Sequence, residues 1–274
     1  MLLSKSLKEV VKINKEFLIA EKSKFSSFIT QFKRSFTITK KDLKVYYNKP
    51  PVLIQGIFFP IILFFSFTVG RNIASLYLIS GLITMVLFLT STSMGPIILP
   101  WETMRGTFER LVTCPISIRT ILLGGIWSSF IYGMIFSSIP LVIGFIFLSS
   151  ELVFNLLLVI FAMILTSLVF SSFSLIISSP PSTNPGSTMI LQILIKFPIL
   201  FISPLFMPVN SLSTAVISPL TYCVDILNIG LGDVSAFGTF GLLFDIAVLL
   251  AFGFGFLFLA FALHQKTLEK RFRG

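Results

Sequence analysis

The sequence predicts an all-α polytopic membrane protein with six transmembrane helices, and three observations carry that prediction. Of 274 residues, 55% are hydrophobic and only 12% charged, about half the charged fraction of a soluble domain. The mean hydropathy is +0.97, and so few polar side chains cannot build a water-facing surface. Between Pro50 and Leu263 the chain is a series of apolar runs, each near the ~20 residues that cross ~30 Å of hydrocarbon. An ordinary soluble enzyme, a disordered chain and a nucleic-acid-binding domain are excluded. The net charge of +10 does not argue for nucleic acid, because the basic residues gather at the two chain ends.

Residues 1–50 form a basic segment that holds 12 of the 21 Lys and Arg. Within it Phe25, Phe28, Ile29, Phe32 and Phe36 recur at spacings of three and four, with Lys22, Lys24, Lys33 and Arg34 between them. One apolar stripe with a basic opposite face predicts an amphipathic helix over 25–49 lying in the membrane interface, its Phe side chains in the acyl boundary and its lysines near lipid headgroups. Pro50-Pro51 ends it. Because this long basic stretch precedes the first apolar run, no cleavable signal peptide is expected.

Residues 51–264 form the six-span domain. Its apolar runs are Val52–Val69, Ile73–Leu99, Ile121–Leu148, Leu152–Ser178, Thr188–Met207 and Ala236–Leu263. Turn formers or charges mark most of the gaps: Gly70-Arg71-Asn72, 100–119, Ser149-Ser150-Glu151 and 179–186. Pro60 should kink the first span, which neighbouring helices tolerate. Residues 265–274 are a basic tail. Six spans place both termini on one side, and the positive-inside rule selects the cytoplasm. That orientation puts 19 basic residues inside and leaves Arg71 alone outside, with Lys196 within the fifth span. Cys114 and Cys223 then fall on opposite sides and cannot pair within one chain, and the single histidine, His264, argues against a zinc or haem site.

The segment Trp101–Cys114, closed by Pro115, is too polar to enter the bilayer and lies on the cytoplasmic side. Thr107 is placed to cap a short helix whose Phe108, Leu111 and Val112 face the membrane domain, with Glu109 and Arg110 facing away. A short rigid helix with exposed charges at the foot of two spans suits a soluble partner.

The string Glu102-x-x-x-Gly106-Thr107-x-Glu109-x-Leu111, followed by Pro115, Ser117 and Ile121-Leu122-Leu123-Gly124, resembles the cytoplasmic loop signature of the type-2 ABC exporter permeases. A second match lies about 100 residues on. Phe197-Pro198, Phe206-Met207-Pro208 and Pro219-Leu220-Thr221-Tyr222-Cys223-Val224-Asp225 resemble that family's passage from the fifth span into an outer re-entrant hairpin. Ser218 stands where the family commonly has Asn. The similarity covers roughly residues 25–265. Met104 and Thr103 depart from the family's usual acidic and basic residues before the glycine.

The resemblance implies the transmembrane subunit of an ABC exporter. Two identical chains would pair around a central path and rest on separate ABC ATPase subunits, which bind ATP and magnesium. Coupling to the ATPase would fall on Glu102, Arg105, Gly106, Thr107, Glu109 and Arg110. Pro219, Tyr222 and Asp225 would belong to the outer gate, though Asp225 could equally cap a helix or face water. The chain has no Gly-x-x-x-x-Gly-Lys-Ser/Thr motif, and no Gly is followed by Lys, so it lacks a P-loop of its own. No cofactor and no nucleic acid are expected on it; its other partner is membrane lipid.

Two charges fall inside the spans, Lys196 in the fifth and Asp245 in the sixth. Each costs about 2.5–3.5 kcal/mol near the bilayer centre and needs a partner or water. Either the two approach each other or line a wet cavity, or each bonds locally or snorkels to its own interface. Ser171, Ser172, Ser174, Ser178 and Ser179 fit close helix approach rather than catalysis, since no base accompanies them. An intramembrane enzyme would need a second intramembrane Asp or a metal site. A secondary transporter would want several intramembrane acids and internal repeats. A non-transporting structural or regulatory protein of the same fold is the remaining alternative.

Overall fold

The structure, a computed structural model, describes residues 24–46, 49–58, 61–62, 65–66, 69, 75–114, 116–148, 155–180, 184–205, 209 and 213–273. The basic segment 1–23, much of the first apolar run with Pro60, the turn Gly70-Arg71-Asn72, Pro115, Ser149-Ser150-Glu151 and Phe206-Met207-Pro208 lie outside the described residues. Among the described residues there is no strand. Four helices are long and apolar enough to cross a membrane: Leu76–Met104, Ile118–Ile146, Leu156–Ile177 and Gly241–Thr267. The chain is a multi-pass membrane protein. The expected fifth span is a shorter helix, Pro185–Ile202, because Asn184 caps it on one side and the chain leaves the helix at Ser203.

Helix α1, Lys24–Tyr46, is the expected amphipathic helix. Phe32 and Phe36 are exposed, while Ser35, Ile38, Thr39, Asp42 and Tyr46 form the buried face. Those residues share a side at spacings of three and four. The buried face is therefore semi-polar, and it packs on α5, Ile118–Leu148. Gly124 of α5 makes the contact possible, since a Cβ there would lie 2.8 Å from Ile38. Thr39 Oγ1 donates to the Gly124 carbonyl at 3.1 Å. After α1, Pro50–Leu53 runs into a π-helical turn, Ile54–Phe58, anchored where Tyr132 Oη donates to the Val52 carbonyl at 2.6 Å.

The second span is broken into α2, Ser75–Ser91, and α3, Met94–Met104. The break follows from Pro96, whose ring clashes with the carbonyl four residues back, at Thr92, and offers no N–H to it. Side chains turn back onto the helix just before this point: Thr90 Oγ1 donates to Val86 O at 2.6 Å and Thr92 Oγ1 to Phe88 O at 2.5 Å, and Ser93 Oγ donates to Leu89 O. Such back-bonding bends helices. Pro100 does not end the span, contrary to the expectation from sequence. The helix carries it and continues to Met104, which brings Trp101 and Glu102 onto its surface.

Short α4, Thr107–Thr113, follows, then α5 and α6, Leu156–Ile177. The Asn155 side chain caps α6 by accepting from Leu158 N at 3.3 Å. Where α2, α5 and α6 cross, Gly133 is required: a Cβ on it would sit 1.9 Å from Ser91 Oγ and 2.9 Å from Ser167 Oγ. Those hydroxyls are 3.0 Å apart, and Ser167 also donates to the Phe130 carbonyl. Helix α7, Pro185–Ile202, packs chiefly on α3. Helix α8, Pro219–Gly230, is almost wholly buried and at 12 residues is only ~18 Å long, too short to cross. Helix α9, Gly241–Arg273, packs on α6 and α8 and runs straight through the expected tail 265–274 as far as Arg273. The main core lies among α2, α6, α8 and α9, with Phe88 and Phe170 edge to face at 5.0 Å.

Candidate functional site

The turn between α3 and α4 is an elbow made by Gly106. Its φ of +67° is left-handed, a region that only glycine enters without strain. Thr107 is therefore not the cap that its sequence position suggests. Gly106 holds the N-cap position without a side chain, and Thr107 is the first helical residue, its Oγ1 donating to the Glu102 carbonyl at 3.1 Å. That bond ties the start of α4 to the end of α3. Phe108 is buried against Ile38 of α1 and Ile121 of α5, with Leu111 packed beside them, as expected of the inward face. Arg110 and Cys114 are exposed. Arg105, also exposed, lies with its guanidinium 5.1 Å from the centre of the Trp101 ring, a cation–π contact. Glu109 is the third residue of α4.

Glu102 does not join the exposed charges. It is 3% exposed and bonded to Lys41 Nζ of α1, which also reaches Asp42 Oδ1 at 3.0 Å. Sequence reasoning missed both partners because it read the lysines of this helix as a basic face near lipid headgroups. The buried contact forms because α3 runs past Pro100 and α1 turns its semi-polar side inward. Burial pulls the Lys41 ammonium down, yet the Asp42 and Glu102 carboxylates outweigh it and hold it above the ordinary lysine value. Burial pushes the Asp42 carboxyl up to about 7, against the pull of Lys41. The elbow and α1 thus form one unit, fastened by one ion-paired cluster and one apolar cluster.

At its other end α3 meets a second buried charge. Lys196 of α7, 3% exposed, donates from Nζ to Ser93 Oγ at 2.9 Å and to Gln192 Oε1 at 3.0 Å. Lys196 and Asp245 do not pair. Lys196 bonds locally, one of the readings left open by the sequence, whereas among the described residues neither carboxyl oxygen of Asp245 receives a hydrogen bond. The break at 92–93 made this possible, and the run Thr90-Ser91-Thr92-Ser93-Met94-Gly95-Pro96 was its available signal. Helix α3 is further seated by Gly95, whose N–H donates to Ser174 Oγ at 2.9 Å. That contact realises the expected close approach of the α6 serines.

Pro219, Tyr222 and Asp225, expected at an outer gate, lie on one helix, α8. Ser218 caps α8, accepting from Leu220 N at 3.3 Å, and Pro219 follows at the first helical position. Tyr222, 3% exposed, donates to the Val216 carbonyl at 2.7 Å and stacks on Phe237, their ring centres 5.6 Å apart. Asp225, 1% exposed, accepts from Ser235 Oγ at 2.7 Å and from Ala236 N at 3.1 Å. It therefore fixes the turn leading toward α9 and does not face water.

Residues 33–231 match the family model described as ABC-2 type transporter. A search of curated proteins gave no match.

Proposed function

The chain belongs to the ABC-2 type transporter family, whose members are membrane subunits of ABC transporters, and from that premise we propose that it exports a substrate, driven by a separate ATPase. Two copies pair around a path between their spans. Both termini and the α3–α4 elbow face the cytoplasm, in keeping with the clustering of basic residues at the chain ends and in the 100–120 loop. ATP and magnesium bind the partner subunits, since the sequence has no P-loop motif of its own. Buried α8 is the re-entrant element at the outer face.

The observation that carries this reading is the double fastening of α3. Its elbow end is held to α1 through Glu102 and Lys41, and its inner end to α7 through Ser93 and Lys196. Helix α3 is 11 residues long, about 16 Å of rigid rod. A push on the exposed side of α4 is delivered through it to α7. The ATPase does work on this rod only if its closed dimer binds the two permease conformations with different affinity.

Copurification with an ABC ATPase expressed alongside, followed by ATP turnover in lipid, tests the proposal. Arg110→Glu reverses an exposed charge on α4 and is expected to weaken the association about tenfold with the melting temperature of the membrane subunit unchanged. Undiminished copurification and turnover in this variant would place the contact elsewhere.

A further inference from the structure

Asp245 is the sole acid in the apolar stretch Gly241–Thr267 of α9. Its side chain is fully buried, and among the described residues neither carboxyl oxygen receives a hydrogen bond from a donor. The charged group that acts on it is a second buried acid, Asp225, on α8, the helix packed against α9. The other titratable groups near it are Tyr222 and Cys223, also of α8. The Tyr222 hydroxyl is committed to the Val216 carbonyl, and the Cys223 sulfur lies 3.7 Å from the Thr84 hydroxyl. Among the described residues neither acid has an ion-pair partner. Lys196, the buried lysine among the described residues, is occupied by Ser93 and Gln192.

The two carboxyls differ in one respect that assigns their roles. Asp225 already accepts from Ser235 and Ala236, which suits an ionised carboxylate. Among the described residues Asp245 accepts from none. Two interacting ionised carboxylates, both buried, repel each other and cannot both persist. A single proton on Asp245 removes that repulsion and supplies an O–H for which Asp225 is the adjacent acceptor.

We propose that Asp225 and Asp245 form a buried proton-binding site in which Asp245 carries the proton and donates it in a hydrogen bond to Asp225, fastening α8 to α9. A hard metal cation is a poor occupant, because it takes about six oxygen ligands and Asp225 has both oxygens engaged by the turn at 235–236. The site stands on the packing of α8 against α9 and does not depend on the direction of transport. Loss of the proton leaves two like charges between these helices, so the pair forms a latch that proton release would open.

Infrared spectroscopy of the purified chain in lipid nanodiscs tests this directly. An Asp42→Asn background removes the other aspartate that burial pushes to about 7. At neutral pH a protonated-carboxyl carbonyl band is expected that shifts in D2O and shifts again when aspartate carries carboxyl 13C. Asp245→Asn, which mimics the protonated form and can donate to Asp225, is expected to fold and to abolish the band. Asp225→Asn is expected to keep the band and move its frequency, since the acceptor has changed. Absence of a 13C-sensitive band, its persistence in Asp245→Asn, or an unmoved frequency in Asp225→Asn would each overturn the assignment. Loss of the band when sodium salts replace choline salts would assign the pair to a metal ion instead and overturn it as well.

Discussion

Replacing Lys41 with methionine is expected to release α1 from the bundle while the spans stay folded. The substitution leaves Asp42 and Glu102, 2% and 3% exposed, buried together without a counter-charge. Removing one member of a buried ion pair costs about 3–5 kcal/mol. The Lys41 side chain is 35% exposed, so solvent screening holds the effect to the lower end, about 3 kcal/mol. That corresponds to roughly a hundredfold shift between docked and undocked α1. Ser35 is fully buried on the inward face of α1, so Ser35→Cys in a Cys114→Ser background reports undocking by its maleimide labelling rate. The rate should rise about a hundredfold in Lys41→Met, and ATP turnover by the assembled transporter should fall with it. The exchange Lys41→Glu with Glu102→Lys restores the attraction and should return labelling most of the way. Unchanged labelling in Lys41→Met would show that the ion pair does not hold the helix.

Lys196→Met is expected to separate stability from function. An unpaired charge is costly to bury, so an apolar side chain of similar volume in its place should not destabilise the fold. The melting temperature should therefore hold or rise. The variant also removes the bond between α7 and the break in the second span, at the inner end of α3. If that bond passes force from the elbow to α7, ATP turnover in lipid should drop about tenfold, the scale of an ordinary coupling free energy. A lowered melting temperature with turnover unchanged per folded molecule would reduce Lys196 to a packing role.

The class of the protein, the amphipathic α1 and the helix after Gly106 are legible from composition and spacing, because apolar length and helical periodicity act locally. The elbow is legible too, although its cap is not. The backbone at Gly106 supplies the turn that Thr107 would otherwise have had to stabilise, and a positive φ leaves no other mark in the sequence than the glycine itself. The fate of charged residues is legible only in part. Glu102 reads as an exposed handle residue until α3 is seen to continue through Pro100 and turn it toward Lys41. Lys196 and Asp245 read as possible partners because both are costly in lipid, yet each finds a nearer group from another helix. Those contacts depend on the crossing of α3 with α7 and of α8 with α9, and no local pattern encodes a crossing. The break at 92–93 is the exception, since its Ser, Thr, Gly and Pro run carries a local signal.

The central claim is that force from a separate ATPase enters at the α3–α4 elbow, and Cys114 reports on it without any substitution. Its thiol is exposed at the end of α4, whereas Cys223 is buried. A membrane-impermeant maleimide should label Cys114 in inside-out vesicles and not in intact cells, and addition of the ATPase subunit should slow the labelling strongly. Labelling from the cell exterior, or a rate that the bound ATPase leaves unchanged, would contradict the account.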